Sequence, residues 1–216
     1  MREAFQEELE SIHTTLVKMG SIVAESMAAA TKALLEPNLE LAQKVIKEDD
    51  TIDDMQHELD ARTMMIIARQ SPVAGDLRTL VTSLRMSADL ERMGDMAHHV
   101  AKLARMRYPN CAVPDELRDI VINMNRVALN IIEKTTKSID TRNTTMALEL
   151  EKDDDEMDKL HRQLFEILMD DKWQYGTEVA IDMTLLGRYY ERCADHAVSV
   201  GRRIYYMVNG EYNTAN

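Results

Sequence analysis

Glu91 and Asp95 stand four residues apart in DLERMGDMAHHV (89–100), and the same pair returns as Glu191 and Asp195 in YYERCADHAVSV (189–200). A second set of acids is also said twice. EDDTIDDMQHEL (48–59) is echoed by DDDEMDKLHRQL (153–164), which aligns Asp49 with Asp154 and Asp53 with Asp158. At about 100° per residue, positions i and i+4 share a helix face, so each pair directs two carboxylates the same way. Two such pairs on neighbouring helices would form an oxygen-rich cradle for a hard cation such as Mg²⁺, Mn²⁺ or iron.

The neighbours of these acids make the arrangement informative. Leu80, Leu84, Ser87, Glu91, Gly94 and His98 fall on one stripe, with Asp95 at its edge. Ala180, Thr184, Gly187, Glu191, Ala194 and Val198 form the matching stripe, beside Asp195. The acids therefore interrupt apolar or small-residue stripes, and a carboxylate half-sequestered there requires a cation, an arginine or water. The pattern alone is weak in a chain with 38 Asp and Glu, because a solvated helix face also carries acids at this spacing. It recurs at Asp50/Asp54, Asp115/Asp119 and Glu178/Asp182 without a matching stripe. Ion pairs to Arg92 and Arg192 would satisfy the acids without a metal. Glu10-x-x-His13 offers a rival, since carboxylate-bridged di-iron bundles use that spacing twice with two further glutamates. Asp54/His57, Asp95/His98 and Asp158/His161 carry Asp instead, so a di-iron oxidase or metal-storage bundle remains the alternative.

Six helices are predicted to hold these groups. The first runs to about Leu35 and stops at Pro37, and Asn38 caps the second. Ser71-Pro72 is expected to open the third, which reaches about Arg107. YPNCAVPD (108–115) then breaks the chain, and Asp115 is expected to cap the fourth helix, which ends near Asp140. The fifth follows the TRNTT turn and reaches about Asp170. Gly176-Thr177 is expected to end one helix and cap the last, which reaches Val208 and is closed by Asn209-Gly210. Because the two acidic blocks recur in the same order on corresponding helices, the sequence predicts an all-α protein of two tandem three-helix bundles related by internal duplication, 1–108 and 115–210.

Composition agrees with helices and excludes several functions. The chain has 216 residues, 5% aromatic, with 16 Met and only 7 Gly and 4 Pro, a poor supply of turn residues for an all-β fold. The net charge of −12 argues against direct nucleic-acid binding, which requires surface Lys and Arg. The two cysteines, Cys111 and Cys193, form no disulfide framework, and Cys193 is read as packing. The charged N-terminus and the absence of an apolar run of about 18 residues predict a cytoplasmic protein that meets membranes only through partners. No phosphate-cradling glycine loop or nucleophile elbow is present, so no enzyme is expected.

SPVAGDLRTLVTSLRMSADLERMGDMA (71–97) and the later GRYYERCADHAVSVGRR (187–203) resemble the PhoU family of phosphate-signalling proteins over essentially the whole chain. PVAGDLR and LLGRYYERCADHAVSVGRR are most similar to its actinobacterial branch. The resemblance implies a cytosolic homodimer acting between the ATPase subunit of the ABC phosphate transporter and the phosphate-sensing histidine kinase. It also implies negative regulation, with the kinase kept off and scavenging genes silent when phosphate is plentiful. Some members hold iron, zinc or other divalent metals on acid-x-x-x-Asp motifs. Carried over residue by residue, the motif assigns Asp49, Asp53, Glu91, Asp95, Asp154, Asp158, Glu191 and Asp195 as metal ligands. His99, four residues after Asp95, is a candidate addition.

Overall fold

The computed structural model describes residues 2–213. Its helices are α1 (Arg2–Leu35), α2 (Leu39–Gln70), α3 (Ala74–Arg107), α4 (Arg118–Thr141), α5 (Thr144–Leu168) and α6 (Gly176–Asn209), with one short 3-10 turn at Asp115–Leu117 before α4. The predicted all-α duplicated architecture is the observed one. None of the helices is long and apolar enough to cross a membrane.

The duplication extends to the helix caps. Asn38 accepts from the Leu41 amide at 3.0 Å, and Asn143 accepts from the Met146 amide at 3.0 Å, so α2 and α5 begin in the same way. Each cap satisfies one of the amides that a helix start leaves without a partner. α3 departs from the expectation. Ser71 takes a left-handed conformation (φ 45°) as the last cap of α2, donating its amide to the Ile67 carbonyl, and α3 begins only at Ala74. Ending a 32-residue helix took precedence over starting the next at the proline. Asp115 likewise starts the 3-10 turn, and α4 follows at Arg118.

α2, α3, α6 and α5 lie side by side in that order, and α1 and α4 pack behind them and against each other. One continuous apolar core joins both halves, from Leu16, Met19, Val23 and Met27 of α1 to Met183, Leu186, Ala197 and Ile204 of α6. Small residues set the helix spacing. A Cβ on Gly94 of α3 would stand 2.7 Å from Ile52 Cδ1 of α2, and one on Gly201 of α6 would stand 2.6 Å from the Ala147 carbonyl oxygen of α5. A side chain at Gly201 would meet backbone, which has little freedom to retreat.

Polar ties fix the halves to each other. His13 Nε2 donates to the Ile139 carbonyl at 3.0 Å, joining α1 to α4. Between α3 and α6, Arg78 Nε donates to the Met207 carbonyl at 3.0 Å and Arg107 Nε to Asp182 Oδ2 at 2.6 Å. Midway along, buried Asp89 accepts from Arg203 Nε at 2.6 Å and lies 3.1 Å from His196 Nδ1. These partners rise in number on one helix as they fall on the other, so α3 and α6 run antiparallel.

Candidate functional site

The repeated acids sit where antiparallel α2 meets α3 and where α5 meets α6. In the first half, Asp49 is buried and bonded to His98 Nδ1, while Ile52 packs on Gly94. That register brings Asp53 level with the turn holding Glu91 and Asp95. Their electrostatics record the approach. Burial raises the Asp53 carboxyl above its ordinary range, and the charges of Asp49 and Asp95 raise it further. Glu91 is raised by burial and by Asp95, against an opposing pull from Arg92.

The second half repeats the arrangement with fewer compensating cations. Burial raises the Asp154 carboxyl to about 6, and Asp158, Asp195 and Glu191 add to the rise. Glu191 is raised by burial and by Asp195, with Arg188 opposing. Asp158 and Asp195 face solvent at the mouth of the group. All eight predicted residues thus fall into two four-carboxylate groups, one per half, as duplication requires.

The arginines differ from their anticipated roles. Arg92 Nη1 meets Asp95 at 2.8 Å and its Nε lies 3.5 Å from Glu91, so the first group is partly balanced from its own helix and not from a neighbour. Arg192 is exposed and makes no ion pair among the described residues. Arg188, which the motif reading passed over, pairs with Glu191 one turn away. Its signal was the i, i+3 spacing on the same helix.

Several polar atoms of the two groups are left without partners. Asp154 Oδ1 and Glu191 Oε2 are sealed from solvent without a hydrogen-bond partner, as are His98 Nε2 and His161 Nε2. Asp153 Oδ2 has no such vacancy, because Lys134 Nζ lies 2.6 Å away. Orphaned carboxylate oxygens beside like charges are the donor type that a hard divalent ion satisfies. Among the described residues, no three His, Cys, Asp or Glu side chains stand close enough together to hold an ion as they are. An ion would therefore have to draw these side chains inward.

The remaining candidates have other employment. His99 stacks on Tyr189 of α6 with ring centroids 5.0 Å apart, and burial lowers its pKa. The His13 tie to α4 places Glu10-x-x-His13 at the α1–α4 contact, on different helices from the acid groups, which removes the geometry a di-iron centre requires. Cys193 is fully buried with its thiol pushed up to about 12, which leaves it unreactive packing, as expected from its sequence context.

Asp154 provides a pH test. Its folded pKa lies above the ordinary 3.8, so the folded chain holds this proton more tightly than the unfolded one. The penalty for ionising it is absent below about pH 4, grows through pH 6 and is complete above it. At about 1.4 kcal/mol per pH unit the full rise would cost about 3 kcal/mol. Partial solvation reduces this to about 1 kcal/mol. Asp154→Asn is expected to raise the melting temperature of chelator-treated protein by roughly 2–4 °C at pH 7.5 and to change nothing at pH 4. Equal shifts at both pH values in a thermal-unfolding series would sink this account.

Comparison with known proteins follows the same outline. The PhoU domain family model matches residues 16–104 and 121–204. The chain is 40% identical to the phosphate-specific transport system accessory protein PhoU homolog 2 of Mycobacterium tuberculosis, over 98% of this chain and 100% of that protein. It is 39% identical to homolog 1 of Mycobacterium leprae, over 98% and 96%. Crystal structures of two other proteins superpose closely. The phosphate transport system regulatory protein PhoU from Streptococcus pneumoniae gives a TM-score of 0.86 at 23% identity, covering 97% of this chain and 99% of that one. PhoU from Pseudomonas aeruginosa gives 0.84 at 26% identity, covering 96% and 100%.

Proposed function

The chain belongs to the PhoU family, and from that membership we propose that it is a non-enzymatic regulator of phosphate uptake and of phosphate-starvation signalling. The observation that carries the reading is the full-length match to relatives named as accessory proteins of the phosphate-specific transport system. In this reading it works in the cytoplasm as a homodimer and contacts the ATPase subunit of an ABC phosphate transporter and a phosphate-sensing histidine kinase. It keeps the kinase silent while phosphate is plentiful.

Such a protein acts by preference between states. It shifts a transporter or kinase only to the extent that it binds one conformation more tightly than another. A rigid body with a single core suits that task, because a preference is lost if the binding face deforms to fit either state. The two acid groups add a second proposed property, the binding of divalent or ferric ions such as iron, zinc, manganese or magnesium. Asp49, Asp53, Glu91 and Asp95 would hold one site, and Asp154, Asp158, Glu191 and Asp195 the other. A bound cation would relieve the mutual repulsion of each group and pin α2 to α3 or α5 to α6.

Deleting the gene while retaining the transporter is expected to raise secreted phosphatase in phosphate-rich medium to the level of starved cells. Restoring the gene should silence it again. Phosphatase that stays repressed in the deletion, with no second family member in the genome, would refute the regulatory reading.

A further inference from the structure

The helix pair α3 and α6 departs from the acidic character of the rest of the protein. α3 carries six Lys and Arg against four acids and α6 four against four, in a chain where acids outnumber Lys and Arg by 38 to 26. Three of the eight acids, Asp89, Glu178 and Asp182, are consumed in ties across the α3–α6 seam, together with two of the ten basic residues, Arg107 and Arg203. The antiparallel register set by Arg78–Met207, Asp89–His196 and Arg107–Asp182 places Arg92 level with Arg192. These two residues correspond under the duplication, so they flank the local two-fold relation between the halves.

Arg85 stands two turns before Arg92 at a seven-residue interval, nearly the same direction from the helix axis. Arg85 and Arg192 are exposed, and neither has a hydrogen bond or ion pair among the described residues. Arg92 pairs with Asp95 through Nη1 and with Glu91 through Nε and remains 56% exposed, with its Nη2 outside both pairs. At the end of the seam's outer rim, beyond Arg92, lies a cavity of about 210 Å³, lined chiefly by His99, Leu103, Met106, Leu185 and Tyr189. Met106 and Leu185 are exposed there.

We propose that this rim is a docking groove for one acidic, amphipathic helical segment of a protein partner. Carboxylates of the segment meet Arg85, Arg92 and Arg192, and an apolar side chain enters the cavity beside Met106 and Leu185. The flanks dictate the width of the occupant. Glu91 and Asp95 lie on one side and Glu191 and Asp195 on the other, on the same helices as the arginines, and Asp95 reaches Arg92 at 2.8 Å. Screening acts over about 8 Å in physiological salt, so the acids are felt along the rim; a broad anionic surface would in addition press directly on both acid groups, whereas a single helix laid along the seam contacts the arginines. From Arg85 to Met106 the groove is about 30 Å long at 1.5 Å per residue, which suits a helix of about 20 residues. The inference rests on this charge pattern and holds whether or not the protein regulates phosphate uptake.

The test uses the full chain and a fluorescently labelled 21-residue helical peptide with Glu along one edge and a Leu-Phe anchor near one end. Binding is followed by anisotropy, with two parallel probes: the same peptide with Lys for Glu, and phosphatidylglycerol vesicles. The Glu peptide is expected to bind, to weaken with added salt, and to lose at least about tenfold in affinity with Arg85→Glu/Arg192→Glu. Arg69→Glu/Arg162→Glu makes the same charge change at exposed positions on α2 and α5 and is expected to leave binding unchanged. Circular dichroism checks that both variants fold. The proposal is overturned if the Glu peptide does not bind, if the Lys peptide binds as well, or if both variants lose affinity equally. Vesicle binding without peptide binding would assign the arginines to a membrane and overturn it too.

Discussion

Tyr190→Ala is expected to lower the melting temperature by about 10 °C, with one cooperative transition retained. Tyr190 is the largest fully buried side chain, on α6, and its hydroxyl lies 2.6 Å from Thr31 Oγ1 of α1. Thr31 Oγ1 in turn lies 2.8 Å from Asn125 Oδ1 of α4 and 2.9 Å from the Met27 carbonyl. A hydroxyl has one proton. Thr31 spends its own on one of those two oxygens, so Tyr190 is the donor to Thr31. The phenol is held neutral, because burial raises its pKa strongly. Removing a buried ring of this size costs about 3–5 kcal/mol, and each kcal/mol moves the midpoint of a chain this long by about 2–4 °C. Tyr190→Phe keeps the ring and loses only the hydrogen bond, a cost of about 1 kcal/mol. Because the network joins both halves, the loss should appear in the unfolding of the whole protein. Two separated transitions, or equal effects of Ala and Phe, would show that Tyr190 does not couple the halves.

That network marks the limit of what periodicity reveals. Apolar spacing, the Asn38 cap and the proline-rich break gave the six helices, because each signal lies within a few residues of its effect. The Ser71-Pro72 boundary misled because two neighbouring ends competed for Ser71, and local propensity does not say which end wins. Thr31 and Tyr190 are 159 residues apart, and Asp89 and Arg203 are 114 apart. Nothing in the spacing of Asp89 distinguishes it among 38 acids, and only the antiparallel packing of α3 on α6 shows that it joins the halves.

The candidate site was more legible, because duplication writes it twice. A stripe of small and apolar residues interrupted at equivalent places locates Glu91 and Glu191 without any contact map. Pairing α2 with α3 and α5 with α6 brings the acids to two places, although among the described residues no three of them stand close enough to hold an ion. The compensation was not legible. His98 reaches Asp49 across two helices, and Arg188 supplies the charge that Arg192 was expected to supply. Rotamer choice among arginines on one exposed face leaves no trace in residue spacing.

The difference in compensation makes the two acid groups unequal, and divalent ions should reveal it. In the first, His98 holds Asp49 and Arg92 covers Asp95 and Glu91, so a cation must displace existing partners. In the second, Asp154 Oδ1 and Glu191 Oε2 have no partner to lose, and the burial and neighbouring charges that raise the Asp154 pKa would be offset on binding. At an ion concentration of 100 times Kd, binding to the folded state alone adds about 2.7 kcal/mol, or roughly 5–10 °C. Protons compete for the same oxygens, so the gain should be full at pH 7.5 and shrink below pH 6, where Asp154 takes up its proton. Asp154→Asn/Glu191→Gln is expected to remove most of the gain with Mn²⁺, Mg²⁺ or Zn²⁺, and Asp53→Asn/Glu91→Gln a smaller part. Thermal unfolding of chelator-treated protein, titrated with each ion, measures both. A gain untouched by either pair of substitutions would place the ion elsewhere on the acidic surface, and no gain with any ion would leave the eight carboxylates balanced by protons, arginine and histidine alone.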